Sequence, residues 1–237
     1  MVTDTKMEQT IDKYICIQET PMDHKQIEKA VIRSQHCQRN WDLSKQIPQE
    51  DLDLIQHAVT QCPSKQNVAF YKVHMITDRK LIEDIHANTE GFTTNFVTME
   101  GETNSQTLAN LLIVFEGYNG HLHKDNDVFR NDEIWKMESG VELSEAEQGT
   151  FIRDQQMAVG IAAGYANVTS AMMGYGTGCC ACFDHNAIED LLNLDGPVLL
   201  MMGIGYKDPS RNRREHHKTG FVFPTKPKQK IKVKKHY

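Results

Sequence analysis

The run Pro63-Ser64-Lys65-Gln66-Asn67 puts a row of short polar groups between a helix-like stretch and a strand-like one. A plain connection needs no such row. A planar polar ligand does, because backbone N–H groups and short side chains can line its edge with donors. A second polar, basic stretch reads Arg33-Ser34-Gln35-His36-Cys37-Gln38-Arg39-Asn40-Trp41-Asp42 and precedes a helix. A third leaves the apolar Gly203-Ile204-Gly205-Tyr206 and runs into Arg211, Arg213 and Arg214. The planar fork of arginine bonds phosphate oxygens in pairs. On composition alone, such a cluster is equally a solvated loop.

Other motifs carry less. Gly174-Tyr175-Gly176-Thr177-Gly178 follows a helix and enters a strand, the reverse of a dinucleotide-binding turn, and no P-loop is present. Cys179, Cys180 and Cys182 lie too close together for a structural zinc site, which wants spaced pairs of ligands. They are expected to be buried, reduced thiols. His216 and His217 are neighbours, and adjacent strand residues point to opposite faces. They are expected to be solvated, and no metal ligand is assigned.

The chain has 237 residues, 39% hydrophobic and 24% charged, with a net charge of −6. That is ordinary for a soluble domain. No apolar run reaches the roughly 20 residues of a membrane span. The polar, acid-bearing N-terminus does not read as a signal peptide, and six cysteines do not read as a disulfide scaffold, so a reducing cytoplasm is expected. The tail from Lys226 to Tyr237 holds six lysines and no acid, which leaves the body near −12. An acidic body argues against nucleic acid as the main ligand. The tail reads as a solvated arm or one lying on an acidic partner surface.

Helices are expected over residues 24–33, 48–61 and 79–90, with Leu52, Ile55 and Val59 on one face of the second. A long helix is expected from Arg153 to about Met173, with Met157, Ile161, Tyr165, Val168 and Met172 marking one face. Ala162, Ala163, Gly164 and Ala166 make it small-sided enough for close packing. A further helix follows Asp184, a plausible N-cap. Strands are expected over 69–77, over the apolar run 108–117, after Gly174 and over 196–206. The polar stretch 117–148 reads as an insertion or lid. The mixed order of helices and strands favours α+β.

Taken in order, these segments resemble the nitroreductase family of FMN-dependent oxidoreductases over nearly all of residues 30–217. The first motif resembles "QHCQRNW", Pro63, Ser64 and Asn67 match a Pro-Ser-x-x-Asn turn, residues 158–178 match an Ala-rich helix followed by Gly-x-Gly-Thr, and Gly205-Tyr206 with Arg211 to Arg214 match the closing motif. The resemblance implies an α/β/α sandwich around a mixed central sheet, one domain over residues 1–225 with a variable or lid region at 88–148, and a basic tail at 226–237. It also implies a homodimer with FMN at the interface.

By the same resemblance, the Pro63–Asn67 turn lies against the flavin, Arg39 near its pyrimidine edge, and Ala181-Cys182 beside N5. Arg213 and Arg214 meet the phosphate, with Arg211 a further candidate. The family's usual basic residue falls on Gln35 and its small hydroxyl residue on Cys37, so Arg33 or His36 would supply the cation there. The implied reaction takes hydride from NADH or NADPH and passes electrons to a small acceptor such as a nitroaromatic or quinone. The chemistry is carried by the cofactor, so no general acid is assigned. Reductive dehalogenation, flavin fragmentation or non-catalytic FMN binding are alternatives on the same fold.

Overall fold

The computed structural model describes residues 23–68, 70–95, 100–118, 144–218, 220–223 and 228–236. Its elements are α1 (His24–Ser34), α2 (Gln49–Thr60), β1 (Tyr71–Ile76), α3 (Arg79–Ala87), β2 (Phe92–Asn95), β3 (Glu100–Glu102), β4 (Leu111–Gly117), α4 (Glu145–Met172), β5 (Gly176–Cys180), α5 (His185–Leu192) and β6 (Val198–Gly205). The helix starts follow local chemistry. The Asp23, Asp78 and Asp184 carboxylates accept from the N–H groups of Lys25, Leu81 and Ala187. Pro48 stands one place before α2, at its cap.

Four strands form a sheet in the order β1-β4-β6-β5, and β2 and β3 make a separate hairpin. Every neighbouring pair is antiparallel. The mixed sheet expected above is corrected: the one parallel bridge among the described residues joins Cys37 to Thr177. All seven residues of β4 are buried. Leu111, Ile113 and Phe115 pack with Ile55 and Val59 of α2 and with Val159, Ala162 and Ala166 of α4. Leu112 and Val114 point the other way, toward Ile82 and Ile85 of α3 and Ile188 of α5. The continuous apolar run therefore reports helices on both faces, and says nothing of strand direction.

Helix α4 begins eight residues earlier than its pattern suggests, at Glu145. Its small residues Ala158, Ala162, Ala163 and Ala166 face inward, while Met157 is 59% and Tyr165 47% exposed. Close approach of the alanines to the sheet leaves the larger side chains outside. Most of the polar stretch 117–148, from 119 to 143, lies outside the described residues. No described helix is long and apolar enough to cross a membrane.

Candidate functional site

The segment after α1 lies along the edge of β5. The Gln38 N–H donates to the Thr177 carbonyl at 2.7 Å, beside the Cys37–Thr177 bridge. Gly178 permits this approach, since a Cβ there would stand 2.7 Å from the Gln38 carbonyl oxygen. Asn167 of α4 ties the corner together, donating to the Ser34 carbonyl at 3.0 Å and accepting from the Thr177 hydroxyl at 2.6 Å.

The closing arginine loop folds over this segment. Asn40 donates through Nδ2 to the carbonyls of Asn212 and Glu215, both at 2.7 Å. The chain then doubles back, with the His216 N–H donating to the Phe221 carbonyl and the Phe223 N–H to the Arg214 carbonyl. Arg213 donates to the Cys37 carbonyl at 3.2 Å. Arg39 lies over the Phe223 ring, 4.0 Å from its centroid, and its Nε is buried with no hydrogen-bond partner among the described residues. Arg214 reaches the Phe223 carbonyl at 3.3 Å. Arg211 braces its own loop, donating to the His217 carbonyl at 3.0 Å and facing Glu215 at 3.5 Å.

The charge here is one-sided. Burial lowers the pKa of Lys207, and Arg33 and Arg213 lower it further. Burial also lowers His36, followed by Arg213, Lys207 and Lys228. For Arg39, burial lowers the pKa, the Cys37 thiol opposes that, and Arg213 adds to it. Among the described residues, no carboxylate pairs with Arg33, Arg39, Lys207, Arg213 or Lys228. Cations held together without a counter-charge, and a buried guanidinium N–H without an acceptor, are the donor set of an anion site.

The nitroreductase family model matches residues 32–206, which take in α1's last turn, the Pro63–Asn67 turn and all of the main sheet. The chain belongs to the nitroreductase family. Solved structures of similar fold include a nitroreductase family protein from Clostridium novyi NT, with 18% identity and a TM-score of 0.55 over 83% of this chain and 96% of that one. Another is NfrA1 nitroreductase from B. subtilis, with 12% identity and a TM-score of 0.58 over 83% of this chain and 76% of that one. A third is a candidate NAD(P)H:FMN oxidoreductase from Staphylococcus epidermidis, with 16% identity and a TM-score of 0.56 over 85% and 92%. No curated protein matches the chain.

Within this chain, the expected site residues do not all meet. Arg33, Gln35, His36, Cys37, Arg39, Arg213 and Arg214 gather at the Gly176 end of β5. Ala181 and Cys182 are exposed just past its other end, where the Cys182 carbonyl accepts from the Glu90 N–H at 2.9 Å. Pro63, Ser64 and Asn67 stand apart. Their turn is held by Lys65, which pairs with Asp154 of α4 at 2.7 Å. Asp154 and Asn167 are ~20 Å apart along the helix at 1.5 Å per residue. Within one chain the turn therefore lies apart from the other two segments. The Ser64 and Asn67 turn instead lines a separate cavity of about 800 Å³ with Val59, Cys62, Tyr71 and Val73.

Two other expectations are revised. His216 is fully buried, donating through Nε2 to the Thr103 carbonyl at 3.2 Å, and His217 is half-buried beside it. The arginine loop carries both histidines inward, an outcome that a strand-alternation argument does not reach. Of the clustered thiols, Cys180 is buried, Cys179 half-buried and Cys182 exposed. Burial pushes Cys179 and Cys180 up to about 11, so both stay protonated at neutral pH. Sequence reasoning missed Lys207, Lys228, Asn40 and Phe223. Lys207, directly after Gly205-Tyr206, and Asn40, inside the first motif, stood in stretches already under suspicion, and Lys228 in the basic tail, while Phe223 had no sequence cue.

Proposed function

We propose that the protein is an FMN-dependent oxidoreductase that takes electrons from NADH or NADPH and passes them to a small acceptor such as a nitroaromatic or quinone. The observation that carries this reading is the carboxylate-free group of cations beside β5, with the unpartnered Arg39 Nε inside it. These residues fit FMN, which needs cations for its phosphate and a donor for its pyrimidine edge. Arg213 and Arg214 hold the phosphate. Arg39 sits at the pyrimidine edge, where a cation favours the negative charge that reduction brings. Backbone groups of Ala181-Cys182 orient the ring. When bound, FMN supplies the hydride chemistry itself. The description of the S. epidermidis neighbour as an NAD(P)H:FMN oxidoreductase points the same way.

The working unit is a homodimer. Met157, Ile161, Tyr165 and Met172 form an exposed apolar stripe on α4, and Ile27, Val31 and Ile32 are exposed on α1. Such a patch favours burial against a partner. A second copy covering it would bring the Pro63–Asn67 turn of one chain toward the cation group of the other. Residues 88–148 are the place for acceptor selection.

Purified protein is expected to be yellow and to release FMN, not FAD, on denaturation. Stopped-flow mixing with NADH or NADPH should bleach the flavin, and an acceptor panel should restore it. A colourless protein that FMN does not reconstitute rules the reading out. Bound FMN with no oxidation of either nucleotide makes it a flavin-binding protein instead. Tyr165→Glu with Met157→Glu should halve the mass by light scattering and weaken FMN binding. A dimer of unchanged mass contradicts the stripe as the interface.

A further inference from the structure

The C-terminal segment does not lie free of the site. Lys228 donates to the Gln35 side-chain oxygen at 3.1 Å, directly after the last turn of α1. Lys228 and the lysines from Lys230 to Lys235 are all exposed, and what sets Lys228 apart is this hydrogen bond and its place beside His36. Lys228 thus joins Arg33, His36, Lys207 and Arg213, a place where burial and like charges already lower the pKa of His36 and Lys207. The C-terminus of α1 presents about half a negative charge to these groups, screened by solvent. That is far short of four permanent cations, Arg33, Lys207, Arg213 and Lys228. One neutral amide oxygen does not offset the difference either. A dianion would.

We propose that Lys228 is a phosphate-binding residue supplied by the C-terminal segment, which closes over the anion site so that bound phosphate pins the tail. This rests on the reading of the site as an FMN site. It identifies the tail as part of the cofactor machinery and makes its order depend on occupancy.

The test combines FMN affinity with tail protection. Fluorescence titration should show Lys228→Ala binding FMN about tenfold more weakly than wild type, the loss of one charge-assisted contact. Lys232→Ala, a change at an exposed position of the same tail, should bind as wild type does. Adding Gln35→Arg to Lys228→Ala should recover most of the loss, because it returns a cation to the same spot. In limited trypsin digestion followed by mass spectrometry, FMN should slow cleavage after Lys228 several-fold and leave cleavage after Lys232 unchanged. If wild type binds FMN and Lys228→Ala binds equally well, the tail assignment is overturned while the flavin reading stands. If FMN does not bind but inorganic phosphate still protects Lys228, the flavin reading fails and the latch stands. Protection by neither ligand overturns the latch.

Discussion

At the Val198 end of the sheet, the Glu116 carboxylate is 2% exposed and accepts from Lys72 at 3.2 Å, from the Asp195 and Gly196 N–H groups at 3.2 and 2.9 Å, and faces His74 at 2.8 Å. At the Gly205 end, ~17 Å away along β4 at about 3.4 Å per residue, Arg33, Arg39, Lys207 and Arg213 have no carboxylate among the described residues. Lys72 shows the contrast in its own ionisation. Burial acts to lower its pKa, but Glu116 and Asp195 outweigh that and the net direction is up. Lys207 has burial and only like charges about it, and its pKa falls. One end is an internally balanced unit that holds strands and loops together. The other is balanced only when something else binds. Buried charge marks a ligand site where the partner is missing, and a structural site where it is present.

The comparison breaks most readily at Glu116. Glu116→Ala takes from Lys72 its nearer carboxylate, leaving it only Asp195 at 3.6 Å, and takes the acceptor from the Asp195 N–H and the buried Gly196 N–H, and should cost about 3 kcal/mol of stability by urea unfolding. Its FMN affinity, measured where the protein is folded, should be unchanged. A loss of affinity without a loss of stability would reverse the roles of the two ends.

At the other end the effects should fall on binding. Arg213→Ala or Arg214→Ala should weaken FMN by about 1.5–3 kcal/mol, roughly tenfold to a hundredfold, and leave the two-electron midpoint potential nearly unmoved. Arg39→Ala should lower that potential, even where FMN still binds, since it removes a cation beside the charge gained on reduction. Removing Arg213 should not destabilise the FMN-free protein, because it relieves repulsion. If Arg39→Ala shifts only affinity while Arg213→Ala shifts the potential, the placement around the flavin is wrong.

A smaller effect separates a third mode, charge avoided by staying neutral. Burial, then His217, Lys218, His216 and Arg79, holds His86 down to about 3. Burial, then His216, Lys218 and Arg211, holds His217 down to about 4. The His86 and His217 rings stand 5.5 Å apart, and the Glu102 carboxylate lies 3.9 Å from His216. The unfolded chain takes up these protons first as pH falls. Their contribution to stability is therefore complete above about 6.5 and is lost below it, toward about 4 for His217 and about 3 for His86. Wild type should lose stability between pH 6.5 and 4, and His86→Gln should flatten that slope by up to about 1.4 kcal/mol per pH unit. Equal slopes would mean His86 titrates normally in the fold.

Much of the scaffold is legible in the order of the residues alone. Asp184 caps its helix, Ile55 and Val59 face inward as their spacing requires, and Leu111 to Gly117 form the central strand. These are local patterns, read from neighbours three or four residues away. The basic stretch around Arg39 and the loop around Arg213 are also visible as separate pieces of the site. That Asn40 joins them, through carbonyls of Asn212 and Glu215, is not, because nothing near Asn40 in the chain marks a partner so distant in sequence.

The sequence by itself determined the helices, the apolar strands, the family and the residue types able to hold an anion, since all of these rest on local composition and spacing. Only the tertiary structure decided which cations stand together without an acid, that Lys228 comes from the tail to join them, that His216 is buried, and that the Pro63–Asn67 turn lies at the far end of α4. Those outcomes depend on which distant segments pack against one another, and packing is settled by the fit of whole faces rather than by any one stretch of chain.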